Sequence, residues 1–193
     1  MQVLVLASGS RYRAELLQRL NLPFQQCSPN IDESALSGES PDALASRLAR
    51  EKADAGRILT QADALVIASD QVAACQGERL HKPGSESGAR EQLQQMSGHS
   101  VDFYTALCLL DTRSDHYFTA LDRTTARLRQ LRAEEINRYI AADQPLDCAG
   151  SFKVESLGIS LFESVESQDP TALIGLPMIA LCRGLRQAGV MVP

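Results

Sequence analysis

Seven residues of this chain could do chemistry together: the hydroxyls of Ser8 and Ser10, the cations Arg13, Lys52 and Lys82, and the carboxylates Glu33 and Asp70. Cations and hydroxyls grip phosphate oxygens, whereas carboxylates hold a hard divalent metal or take a proton from water. Such a set suits hydrolysis of a phosphoanhydride. Asp70 makes the strongest demand, because it falls inside ALVIASDQVAAC, the most apolar stretch of the first half. A carboxylate without a partner is costly there, so Asp70 calls for a metal, a cation or backbone N–H groups. Other machines are excluded. There is no glycine-rich dinucleotide fingerprint, no Gly-Lys-Ser/Thr loop, no histidine pair at metal spacing and no serine elbow. The three histidines, His81, His99 and His116, fall in expected loops and suggest no triad.

The elements that must position these groups are legible in the hydrophobic pattern. Val3 to Leu6 is a short apolar run, and beyond Ser8-Gly9-Ser10 the apolar residues switch to helical spacing at Leu16, Leu17 and Leu20. Strand, tight turn and helix follow, which places small residues and free N–H groups where an anion could sit. Arg13 shares a helix face with the leucines, at the ligand end of that stripe. From Pro23 to Gly38 a strand and a long loop are expected, with Asp32 and Glu33 in the loop. Ser40-Pro41-Asp42 opens a helix to about Leu59, on which Lys52 ends the stripe of Leu44 and Leu48.

Ala64 to Cys75 reads as a buried strand leading into a turn or a second strand, interrupted at Ser69-Asp70-Gln71, with Asp70 at a strand end. A loop over Gln76 to Gly84 carries Lys82, and a helix over about Glu86 to Met96 stops at Gly98. Val101 to Leu110 and Phe118 to Leu128 form a hairpin, Ala133 to Ala142 an amphipathic helix, Gly158 to Phe162 a short strand, and Leu176 to Gln187 the last helix.

With 193 residues, 44% hydrophobic and 22% charged, the chain has the composition of an ordinary globular protein. A net charge of -5 without a Lys/Arg cluster argues against a nucleic-acid groove. No apolar run reaches the length of a membrane span, so a cytoplasmic protein is expected. The five scattered cysteines read as reduced core residues.

Ser8-x-Ser10-x-x-Arg13, Asp32-Glu33, Glu51-Lys52-Ala53, Ser69-Asp70-Gln71, Lys82-Pro83, Ser97-Gly98 and Gly150-Ser151-Phe152 follow one another as in the Maf family of nucleotide pyrophosphatases. The chain resembles that family over nearly its whole length. The resemblance implies one domain over 1–193 with an α/β fold like that of the inosine triphosphate pyrophosphatases: a central mixed twisted sheet flanked by helices, with two lobes around a cleft. It also implies hydrolysis of a nucleoside triphosphate to the monophosphate and pyrophosphate. Asp70 would be the proton acceptor for the attacking water, and Ser8, Ser10, Arg13, Lys52 and Lys82 would hold the phosphates. Glu33 would join Asp70 on a divalent cation, Mg, Mn or Co, and assist the substrate or water.

Within the family, Ser69-Asp70-Gln71 and Phe152-Lys153-Val154-Glu155 resemble the branch acting on 7-methyl-GTP. The dTTP/UTP branch typically has threonine after the aspartate. Gln71 and Glu155 would complement the Watson–Crick edge of guanine, and Tyr12 would offer its ring to the cationic base. Tyr12 stands where that branch often has tryptophan, and the usual arginine pair is replaced by Tyr12-Arg13-Ala14. Two alternatives stay open: the dTTP/UTP activity, and a non-catalytic nucleotide-binding regulator of cell division or septum formation. The expected partner is a small nucleotide, with neither nucleic acid nor membrane, for a monomer or a homodimer.

Overall fold

The computed structural model describes residues 2–60 and 63–192. They form a mixed sheet flanked by helices, and the chain separates into two compact units. The first draws on Met1–Gln71, Thr105–Asp122 and Asp169–Pro193, the second on Val72–Tyr104 and Arg123–Gln168.

In the first unit, β1 (Val3–Ala7) lies parallel to β2 (Phe24–Cys27) on one side and to the start of β3 (Ala64–Cys75) on the other. A strand buried on both faces must be apolar throughout, as VLVLA and ALVIA are. Leu4, Leu6, Leu65 and Ile67 point to one face, where they form a core with Leu16 and Leu17 of α1 (Arg11–Gln18) and Leu181 and Leu185 of α5 (Met178–Gln187). The opposite face takes α2 (Pro41–Leu59). Gly56 of that helix comes so close that an added Cβ would lie 2.6 Å from the Ala7 Cβ and 2.9 Å from Val66 Cγ1. Helices on both faces of the parallel strands hold the loop after β1 and the middle of β3 in fixed places.

In the second unit, the end of β3 turns into β4 (Glu78–Leu80) through Gln76 and Gly77, both at positive φ. Two residues of that conformation match the twist of a tight hairpin. The unit also holds α3 (Glu86–Met96) and α4 (Ala133–Asp143). Three strands pass from one unit to the other: β3, β5 (Ser100–Asp111) and β6 (His116–Leu128). Strand order is β2-β1-β3-β5-β6-β7, with β4 on β3 and β7 (Phe162–Glu166) antiparallel to β6. Phe152 packs edge-on against Phe103 at 5.3 Å and Phe162 at 4.7 Å, between ring centroids, in the core of this unit.

Three expectations need correction. β3 runs unbroken through Ser69-Asp70-Gln71 rather than stopping there. The strand Gly158–Phe162 is instead a 3-10 turn at Leu157–Leu161, and pairing begins at Phe162. The loop after Cys75 contains β4, whose Gln-Gly turn is a weaker signal than Asn-Gly. All five cysteines are free thiols, with Cys75 and Cys108 buried and the other three half-buried.

Candidate active site

Ser8 immediately follows β1, and the register Leu6↔Ile67, continued, sets Ser8 level with Ser69. β1 has ended there, so Ser69 and Asp70 lie just beyond the carboxyl ends of the parallel pair even though β3 continues. Ligands gather at that place in α/β sheets. The sequence reading set Asp70 at a strand end; Asp70 instead lies inside β3, and the strand that ends beside it is β1.

Asp70 is buried, and its Oδ1 accepts from Lys52 Nζ at 2.5 Å. The same ammonium lies 2.6 Å from Glu33 Oε1. Lys52 is itself buried because α2 presents Leu44, Leu48 and Lys52 at four-residue intervals to the sheet. One cation thus holds two carboxylates, one from a strand and one from the loop before α2. Burial raises the Asp70 pKa above the ordinary carboxylate value; Lys52 and Arg13 oppose the rise and Glu33 adds to it. Asp70 Oδ2 has no hydrogen bond from the described residues, and so remains an available acceptor.

Ser10 caps α1, its Oγ accepting from Arg13 N at 3.4 Å, and Ser8 Oγ accepts from Ser10 N at 3.2 Å. Arg13 spans the start of the helix: Nη1 donates to Ser8 Oγ at 3.2 Å and Nε to the Gly175 carbonyl at 2.8 Å. Burial lowers the Arg13 pKa, against the pull of Asp70 and Glu33. Hydroxyls, helix-start N–H groups and a guanidinium are thereby concentrated around one turn, which suits an anion.

Lys52, Glu33 and Asp70 meet, and Arg13 meets Ser8. The remaining expectations are placed differently. Gln71 Nε2 donates to Thr105 Oγ1 at 3.0 Å and to the carbonyls of Ala172 and Leu173 at 3.0 and 3.1 Å. Its amide nitrogen is occupied by the protein, and only Oε1 is left for another partner. Tyr12 lies under Arg11, whose guanidinium carbon is 4.7 Å from the ring centroid while Nη2 donates to the hydroxyl at 2.7 Å. One face of the ring already has a cation. Lys82 and Glu155 are exposed and belong to the second unit. Gly150, Ser151 and Phe152 are packing residues there: Ser151 is buried at φ +59°, with its hydroxyl 2.6 Å from Gln92 Oε1.

Sequence reasoning gave Ser69 no role of its own and missed Thr105 and the segment from Asp169 to Pro177. Ser69 is fully buried, its Oγ 2.7 Å from the Ala106 carbonyl and 2.9 Å from that of Gly175. Only the turn residues Asp169-Pro170 and Gly175-Leu176-Pro177 mark that segment in the sequence.

No group of three or more His, Cys, Asp and Glu residues is poised for a metal among the described residues. Two carboxylates with one oxygen each on Lys52 still fit a hard ion that takes its other ligands from phosphate and water.

The family model described as Maf-like protein matches residues 3–188. The chain belongs to the Maf family. Among its relatives, a 7-methyl-GTP pyrophosphatase of Xanthomonas axonopodis pv. citri (strain 306) is 55% identical over 193 residues, covering 100% of both chains. A 7-methyl-GTP pyrophosphatase of Cupriavidus metallidurans is 52% identical, over 96% of this chain and 93% of the relative. The Ham1 protein of Staphylococcus aureus gives a TM-score of 0.48 at 12% identity, over 67% of this chain and 73% of that one, a likeness too slight to bear on the fold.

Proposed function

We propose that this Maf protein hydrolyses 7-methyl-GTP to 7-methyl-GMP and pyrophosphate, clearing a modified nucleotide. The observation that carries the chemistry is the buried Asp70, held by Lys52 beside Glu33 with one carboxylate oxygen still open. The relatives' names support the choice of substrate.

In this reading Asp70 Oδ2 takes the proton of the water that attacks the α-phosphorus. Its raised pKa makes it a stronger base than an ordinary carboxylate, while Lys52 keeps it ionised and turned one way. Arg13, Ser8, Ser10 and the first N–H groups of α1 hold the phosphate oxygens on which charge develops. Asp70 and Glu33 would hold the divalent cation, Mg, Mn or Co, which supplies Lewis-acid stabilisation when bound. Gln71 acts on the base only as an acceptor of N–H, through Oε1. Tyr12 offers its ring to the cationic base. The roles of Lys82 as a phosphate contact and Glu155 as a base contact rest on the family resemblance alone.

The whole of 1–193 is proposed to act as one Maf-like domain, in keeping with a family match that runs through both units. No helix among the described residues is long and apolar enough to cross a membrane. The proposed setting is the cytoplasm, for a monomer or homodimer whose partner is a nucleotide rather than nucleic acid or membrane.

The test is the position of the broken bond. Hydrolysis of 7-methyl-GTP in oxygen-18 water should give 7-methyl-GMP carrying the label and unlabelled pyrophosphate. Release of 7-methyl-GDP with labelled orthophosphate would overturn the reading.

A further inference from the structure

The carbonyl of Gly175 receives two of the candidate site's side chains: Arg13 Nε at 2.8 Å and Ser69 Oγ at 2.9 Å. Gly175 has φ +124°, a conformation that side-chain-bearing residues rarely adopt, and an added Cβ would lie 3.4 Å from Arg13 Nε. Its placement is imposed from both directions along the chain. Asp169, buried, accepts from Thr171 N at 2.9 Å and Thr171 Oγ1 at 2.6 Å through Oδ1, and from Ile179 N at 2.6 Å through Oδ2. It therefore caps the start of α5 and closes the segment on itself. Thr171 Oγ1 also lies 2.9 Å from the Leu176 carbonyl and accepts from Met178 N at 3.0 Å. Between these fastenings the Ala172 carbonyl accepts from both Gln71 Nε2 and Thr105 Oγ1, each at 3.0 Å.

A guanidinium has five donors in a rigid fork, so fixing Nε on one carbonyl and Nη1 on one hydroxyl fixes the plane of the rest. Arg13 Nη2 makes no hydrogen bond among the described residues. We propose that Asp169 to Gly175 is a positioning segment, in which the Gly175 carbonyl sets the Arg13 guanidinium so that its remaining edge is presented to a polyphosphate. The proposal rests on the reading of Arg13 as a phosphate contact, and it assigns to Gly175 and Asp169 a part in binding through Arg13 rather than contact with substrate.

The probe is inorganic tripolyphosphate, titrated calorimetrically into the intact protein, which separates phosphate binding from the identity of the base. Gly175→Ala should weaken binding about tenfold, as expected when a charged donor loses its aligned acceptor. Arg13→Ala should weaken it at least as much, and the double variant should bind like Arg13→Ala alone. Multiplied effects in the double variant, or unchanged binding in Gly175→Ala, would overturn the proposal. A general structural defect would multiply in this way, so the cycle separates the two. If Gly175→Ala does not fold, Asp169→Asn serves in the same cycle with the same expectation. Tripolyphosphate binding by the wild type that ignores Gly175 sinks only the positioning role. No binding by the wild type sinks the phosphate reading of Arg13 as well.

Discussion

Lys52 decides the electrostatics of the candidate site, since both carboxylates close on one ammonium. Replacing it by methionine leaves Asp70 buried without its cation, whereas Glu33 is largely exposed and can turn to water. Breaking a buried pair from one side costs about 3 kcal/mol, so Lys52→Met should melt well below the wild type at neutral pH. The sign of the pH dependence follows from the raised Asp70 pKa. A carboxyl whose folded pKa exceeds its unfolded value binds its proton first in the folded state, so stability from this group is present at low pH and lost as pH rises through the folded pKa. Lys52→Met widens that gap, and its deficit in melting temperature should shrink as the pH falls from neutral toward the ordinary carboxylate range. A deficit independent of pH would show that packing, not charge, dominates. For Asp70→Asn the expectation is kinetic: loss of the general base should lower the hydrolysis rate about 10²–10⁴-fold. The acid limb of the wild-type pH profile should lie above that of an ordinary aspartate, because burial raises the Asp70 pKa.

At the level of elements, α2 carries the argument. It must lie close against β1 and β3 for Lys52 to reach Asp70, and Gly56 permits that approach. In an exposed helix Gly→Ala would stabilise by about 1 kcal/mol, but overpacking a tight contact costs about 1–3 kcal/mol. With the Ala7 and Val66 side chains inside van der Waals distance, the second effect wins. Gly56→Ala should therefore lower the melting temperature, by about 3 °C per kcal/mol for a chain of this size, and reduce hydrolysis as Lys52 is displaced. A thermal scan showing stabilisation would contradict this packing. The helix itself was legible from Ser40-Pro41-Asp42 and the four-residue apolar spacing, because both signals are local. The 3-10 turns at Leu157–Leu161 and Ala172–Ile174 were not, since each is held by distant partners: Arg129 N on the Leu161 carbonyl, and Gln71 and Thr105 on the Ala172 carbonyl.

Over the whole molecule, the order of nearly all elements was legible in the sequence, because strand and helix periods, caps and turn residues are written locally. The pairing of Lys52 with both Glu33 and Asp70, and the grip of Gly175 on Arg13, join residues 18 to 162 positions apart. No local pattern encodes such distances. The same separation explains why Gln71 read as a base contact while most of its amide serves the fold. Together these scattered groups are proposed as a catalytic site for a modified guanine nucleotide. That role is tested most directly by pyrophosphate release from 7-methyl-GTP, GTP, UTP and dTTP with Mg or Mn, for the wild type and Asp70→Asn. The wild type should prefer 7-methyl-GTP clearly, depend on the metal, and lose release on the Asp70→Asn change. Preference for UTP or dTTP would contradict the assignment of the base, and undiminished release by Asp70→Asn would contradict the assignment of the site.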